Sequence, residues 1–191
     1  MNNFRECRNL IKSDLLRLKN GKCTVLVIIR YLLINASFKI TFWFRLGTYL
    51  KNKNNLLTTV FYYLVFIFHK NNQYKTGIQL PIGTIIGKGL QFSHFSCVVI
   101  NSKALIGEYC TIFQGVTIGS VRGKGTPIIG DNVVIATGAK ILGNVKVGNN
   151  VFVGANSVVI NDIPDNAVVG GIPAKILNMD GISNVKLYKF Y

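Results

Sequence analysis

The chain has 191 residues, 49% of them hydrophobic, and a formal net charge of +15. That composition can bury a core and excludes a disordered polymer. Four cysteines without C-x-x-C spacing and only two histidines exclude a conventional zinc site, so no metal is expected and reduced thiols are.

Residues 1–79 hold 13 Lys/Arg against two acids, whereas residues 80–191 hold nine against five. The first part lacks proline, is poor in glycine and reads as helices. "FRECRNLIKSDLLRLKN" (4–20) puts Leu10, Ile11, Leu15, Leu16 and Leu18 near one face. "TVLVIIRYLLINASFKITFWFRLGTYLKNK" (24–53) is strongly apolar but interrupted by Arg30, Lys39 and Arg45. "LLTTVFYYLVFIF" (56–68) then meets His69 and Lys70. None of these runs reaches the roughly 18–20 uncharged residues that span a bilayer. Apolar faces with basic and aromatic edges predict helices lying in a membrane interface, alternatively helices packing on each other. The N-terminus opens with charged residues, so no secretory leader is expected and the predicted setting is the cytoplasm, at the inner face of its membrane. Nucleic acid is not an expected partner, because the basic residues are interleaved with aliphatic runs and no reader motif appears.

Residues 80–177 carry a period of six. Leu80, Ile86, Phe92, Ile100, Ile106, Ile112, Ile118, Ile129, Ile135, Ile141, Val147, Val153 and Val159 occupy the first position of successive hexads. The fifth position is small or β-branched at Cys110, Val116, Val133, Ala139, Val145, Val151 and Ser157. A six-residue period is not helical. It fits a short strand plus a turn, with three such units to a triangular coil and a continuous aliphatic column inside. The spacing predicts a mainly β fold, a parallel β-helix of about four coils, preceded by the small helical region (1–79) and followed by a tail (178–191).

Two breaks interrupt the period. Phe92 to Ile100 spans eight residues around "FSHFSC", and Ile118 to Ile129 spans eleven around "SVRGKGTP". A β-helix accepts insertions only where they bulge outward at a corner, and irregular corners tend to carry function. The residues alone leave His94 open between a structural corner histidine and a catalytic one. Cys110 falls on an inward small-residue position and reads as core, whereas Cys97 is a lining candidate.

The stretch "IGEYCTIFQGVTIG…IIGDNVVIATGAKILGNVKVGNNVFVGANSVVINDIPDNAVVGGIPAKIL" resembles the hexapeptide-repeat acyltransferases, within them the serine acetyltransferase branch and its capsule and exopolysaccharide O-acetyltransferase relatives. The resemblance implies a left-handed β-helix, a homotrimer, and acetyl-CoA bound between neighbouring β-helices. It implies that His94, in the place of the histidine of an I-D-H-G-x-G segment, is the general base. A hydroxyl must lose its proton as it attacks the thioester, and a neutral imidazole is suited to take it. By matching, Gly119 and Ser120 face the thioester and pantetheine arm, and Ala136, Thr137, Gly138 and Ala155 line that arm. Lys140, Lys175, Arg122 and Lys124 are candidates for the CoA phosphates.

The sequence departs from the serine branch. Gln79 stands where that branch has an aspartate paired to the histidine; it could hold the ring by a hydrogen bond but not by charge. Ser93 replaces an aspartate, and Gly125 and Thr126 stand where the branch has an R-H-P segment. A zwitterionic amino acid needs a cation and an anion, which a sugar hydroxyl does not. Ser93, Gln114 and Thr126 are therefore candidates to line the acceptor. The expectation is an acetyl-CoA-dependent O-acetyltransferase acting on a capsule or exopolysaccharide sugar, lipid-linked or free. The alternatives are serine O-acetyltransferase and a non-catalytic trimeric scaffold at the membrane.

Overall fold

The structure is a computed structural model that describes residues 3–19 and 21–188. Four helices come first: α1 (Phe4–Leu16), α2 (Val25–Ile34), α3 (Ala36–Lys51) and α4 (Leu56–Thr76). Each starts where a side-chain oxygen accepts a first-turn N–H: Asn3 from Glu6, Thr24 from Val27, Asn35 from Phe38 and Asn55 from Thr58. The apolar run 24–53 is thus two helices. Asn35 ends α2 and caps α3, and the two meet at a bend of 116°. The last helix runs past the apolar segment 56–68 and stops at Gly77, whose φ of 67° is the left-handed conformation glycine accepts.

The chain then winds into a parallel β-helix with three sheets. The first contains Ile78–Gln79, Val98–Ile100, Thr117–Gly119, Lys140–Leu142 and Val158–Val159. The second contains Ile85–Ile86, Leu105–Ile106, Ile128–Ile129 and Lys146–Val147, with Ile163 bridging to Val147. The third contains Gln91–Phe92, Thr111–Ile112, Val134–Ile135, Phe152–Val153 and Val168–Gly170, and ends in an antiparallel strand, Lys175–Asn178. All thirteen first-position residues are buried, and so are the seven fifth-position residues. The expected four coils are five. The counted hexads stop at Val159; Ile163 follows after four residues instead of six, and Val169, six further on, closes a further turn.

The helices cap the first turn. Ile40 and Phe44 of α3 join the aliphatic column. Side chains from the helices also reach its backbone. The Arg45 guanidinium donates to the carbonyls of Ile86 (2.7 Å) and Gly87 (2.6 Å) and pairs with Asp14 at 2.8 Å. In later turns the carbonyl equivalent to that of Ile86 accepts from the preceding coil, as Ile106 does from the Gly87 N–H and Ile129 from that of Gly107. The first turn has no preceding coil, and Arg45 supplies the donor. His69 does the same for Leu80, its Nε2 lying 2.7 Å from the carbonyl oxygen. The carbonyl can only accept, so Nε2 carries the proton, while burial of the ring favours its neutral form. At the other end a short helix, α5 (Gly181–Lys186), docks through the Gly181 N–H to the carbonyl of Asn166 at 2.8 Å.

Two tests follow from the cap. Arg45→Met strands a fully buried carboxylate and should lower unfolding stability in urea by about 3–5 kcal/mol. Asp14→Leu/Arg45→Met should recover only the part due to the stranded charge, because the Ile86 and Gly87 carbonyls and the Leu90 N–H still lose their partners. Burial depresses the His69 pKa below its ordinary value of about 6.5. The unfolded chain therefore takes up that proton first. Stability from neutral His69 is present above about pH 6.5 and is lost as pH falls below it, so the melting temperature should drop there, and less so in His69→Gln.

Candidate functional site

The three sheets meet at three edges, and the two breaks in the period lie on different ones. The first edge joins the third sheet to the first. It stacks residues 93–97, 113–116, 136–139, 154–157 and 171–174. The second edge joins the first sheet to the second and carries the loop 120–127.

His94 is exposed on the first edge. The two extra residues bulge there, and the turn closes through positive φ values at Ser96 (147°) and Cys97 (50°). Strain of this kind persists only where neighbours hold it. The Ser96 carbonyl accepts from the Gly115 N–H at 3.0 Å, and the Val98 N–H donates to the Gly77 carbonyl at 3.1 Å. Gly77 has to be glycine here, because a Cβ would lie 3.0 Å from the Cys97 nitrogen. The imidazole makes no hydrogen bond among the described residues. Its neighbour is the ring of Phe113, 6.0 Å away between centroids, followed by Tyr188 at 5.6 Å from Phe113 and Phe152 at 5.4 Å from Tyr188. These aromatics escaped the sequence reading. Phe113 had a visible signal: it directly follows the core residue Ile112 in the strand paired to Gln91–Phe92.

The first edge also gathers Ser93, Gln114, Ala136, Thr137, Gly138 and Ala155, all at corner positions of successive turns. The Gln114 side-chain oxygen is buried there without a hydrogen-bond partner, an acceptor atom still to be satisfied. Gly138 (φ 72°) faces Asn156 and Gly115, so the close approach of stacked turns is one reason for its small size. Lys140 begins the next strand and directs its ammonium to the Gly115 carbonyl. Lys175 is exposed in the antiparallel strand opposite Gly170. Gln79 lies on the first sheet opposite Val99 and is not hydrogen-bonded to His94.

Gly119, Ser120, Arg122, Lys124 and Thr126 lie at the second edge. Val121 and Lys124 bridge across a tight turn with positive φ at Arg122 (49°) and Gly123 (72°), which holds Arg122 and Lys124 exposed at the tip. Thr126 fastens the return of the loop by donating its hydroxyl to the Lys103 carbonyl at 2.9 Å. The width of the first sheet separates this loop from His94, so one chain does not bring them together.

The thiols divide by burial. Cys110 is fully buried and burial pushes its pKa up to about 12; Cys7 is pushed to about 11. Neither supplies a thiolate at neutral pH. Cys97 is exposed beside His94. Among the described residues no cluster of His, Cys, Asp or Glu has the makings of a metal site.

A family profile described as "Bacterial transferase hexapeptide (six repeats)" matches residues 126–161. The serine acetyltransferase of Staphylococcus aureus strain Mu50 is 48% identical over 114 residues, covering 58% of this chain and 54% of that protein. The chain thus spans about half the length of the curated relatives it matches. Among solved structures, a serine acetyltransferase in complex with CoA superimposes with a TM-score of 0.74 at 28% identity, over 91% of this chain and 71% of that one. The soybean serine acetyltransferase apoenzyme gives 0.73 at 30% identity, over 91% and 69%.

The burial of the thiols predicts an order of reaction. Alkylation at neutral pH, followed by intact mass and peptide mapping, should modify Cys97 first and leave Cys7 and Cys110 unmodified until the chain is unfolded.

Proposed function

The chain belongs to the hexapeptide-repeat transferases, in their serine acetyltransferase-like branch, and from that premise we propose that it moves an acetyl group from acetyl-CoA to a hydroxyl, with His94 as general base. The observation that carries the reading is the exposed imidazole of His94, set on an outward bulge and, among the described residues, unspent on any hydrogen bond. A histidine used for structure looks like His69, buried and bonded to a carbonyl. His94 is left free to take the acceptor's proton and pass it to the departing thiolate of CoA.

The small residues of the first edge fit a slender pantetheine arm, and the exposed Arg122, Lys124 and Lys175 fit its phosphates. Lys140 is already engaged with Gly115 and fits that role less well. Because His94 and the basic loop sit on different edges, a complete site calls for a second copy to bring its loop to the first copy's histidine. A homotrimer packed edge to edge would build three such sites. The donor follows the serine acetyltransferase relatives, one of which is solved with CoA; the trimer and the site rest on the resemblance of the sequence motifs and on the placement of the two edges.

For the acceptor, the relatives favour L-serine over the capsule or exopolysaccharide sugar expected from the sequence; each of those reported above bears the name serine acetyltransferase. L-serine is accordingly the leading reading. One observation keeps a sugar hydroxyl as the second. No carboxylate stands anywhere on the His94 edge, where an amino acid's ammonium would want one. A neutral hydroxyl needs no such partner.

His94→Ala should reduce acetyl transfer from labelled acetyl-CoA by about 10²–10⁴-fold while leaving the fold and CoA binding intact. Transfer at the wild-type rate in that variant overturns the assignment. The same assay run with L-serine and with a panel of sugars decides the acceptor, and rapid turnover of L-serine alone removes the second reading.

A further inference from the structure

The helical cap turns an apolar surface outward. No residue of α2 is buried, and Val25, Leu26, Ile29, Leu33 and Ile34 are all exposed. On α4 the exposed large apolar side chains are Leu57, Val60, Phe61, Leu64, Ile67 and Phe68, flanked by Leu56, Tyr63 and Tyr74. At 3.6 residues per turn the first six fall within an arc of roughly 120°, which the flanking three widen to roughly 160°, a stripe at least as broad as an amphipathic helix ordinarily buries. Here α3 is packed behind α4 and the stripe faces away from the protein; Val65, on the other side of the helix, is buried. A surface of this size rarely stays bare in water.

Charge decides what covers it. No carboxylate occurs between Asp14 and Glu108, so both helices and their loops are free of acids. Lys22 and Arg30 are exposed at α2. Lys70 closes the apolar run of α4, with its ammonium 5.8 Å from the centre of the Phe66 ring. A second copy docking on this face would bring cations to cations. Lipid phosphates would meet the same cations favourably, at about 1 kcal/mol for each one near the surface. Among the described residues no single helix is long and apolar enough to cross a membrane. An apolar arc bordered by Lys, Arg and Tyr suits a helix lying in the plane of the headgroups. We propose that the outward faces of α2 and α4 form a docking surface for an anionic lipid bilayer. The proposal stands apart from the reaction assigned to the His94 edge.

Flotation of the full chain with vesicles tests it. Protein should rise with vesicles of phosphatidylcholine containing phosphatidylglycerol, far less with phosphatidylcholine alone, and less as salt increases. Phe61→Ser/Ile67→Ser should weaken binding by at least about tenfold through lost apolar burial. Arg30→Gln/Lys70→Gln should weaken it about fivefold per charge and flatten the salt dependence. All four positions are exposed, so circular dichroism and melting should match the parent protein. The wild-type measurement stands without any variant: failure to bind anionic vesicles overturns the proposal, as does binding that ignores lipid charge. If vesicles are not bound and sedimentation shows an assembly that Phe61→Ser/Ile67→Ser dissociates, the face belongs to a second copy instead.

Discussion

The ion pair between Asp14 and Arg45 joins the two halves of the molecule. Both residues are almost fully buried, yet neither is short of partners. Arg45 spends its fork on the carboxylate and on two carbonyls of the first turn, while Asp14 also accepts the Leu90 N–H at 2.9 Å. Burial drives the Asp14 carboxyl pKa upward, and Arg45 together with the backbone N–H groups of Leu90 and Gly89 offsets part of that rise. A buried pair gains little over an apolar substitute, but losing one member is costly. Here its geometric effect is specific: α1 and α3 are bound to each other and to the same corner of the β-helix. Arg17 adds a second tether, donating to the Thr111 hydroxyl at 2.7 Å.

The rest of the β-helix repeats one solution. Each turn buries one aliphatic residue per strand and leaves its backbone to bond with the next. The corners between the second and third sheets stack so tightly that a Cβ on Gly87 would lie 2.7 Å from the Glu108 nitrogen. This is why glycine follows the aliphatic position so often in the sequence. The regular edge thus carries little chemistry of its own. What distinguishes the two edges proposed to carry the site is departure from the repeat, with two extra residues at His94 and a protruding loop at Arg122 and Lys124.

The repeat was legible because thirteen large apolar residues kept a spacing of six save at two breaks, and all of them are inside. The fifth turn was not, since Ile163 comes four residues after Val159 instead of six and puts Val169 out of step with the earlier count. The bulge at His94 showed as two surplus residues. Its aromatic neighbours did not, because Tyr188 reaches Phe113 from 75 positions further along the chain, and no periodic pattern encodes that return. Arg45 read as an interruption in an apolar helix. Only the structure reveals that it replaces a missing coil, because the carbonyls it serves belong to a segment about forty residues away.

Solenoids have ends, and an exposed end is a row of unpaired backbone groups able to recruit another strand. In this molecule both ends are closed. Arg45 and His69 occupy carbonyls of the first turn, while Lys175–Asn178 turns back antiparallel against the last. Antiparallel pairing interrupts the parallel register that a further coil would have to continue. The helical cap and the C-terminal strand thus act against the addition of a further coil in parallel register at either end.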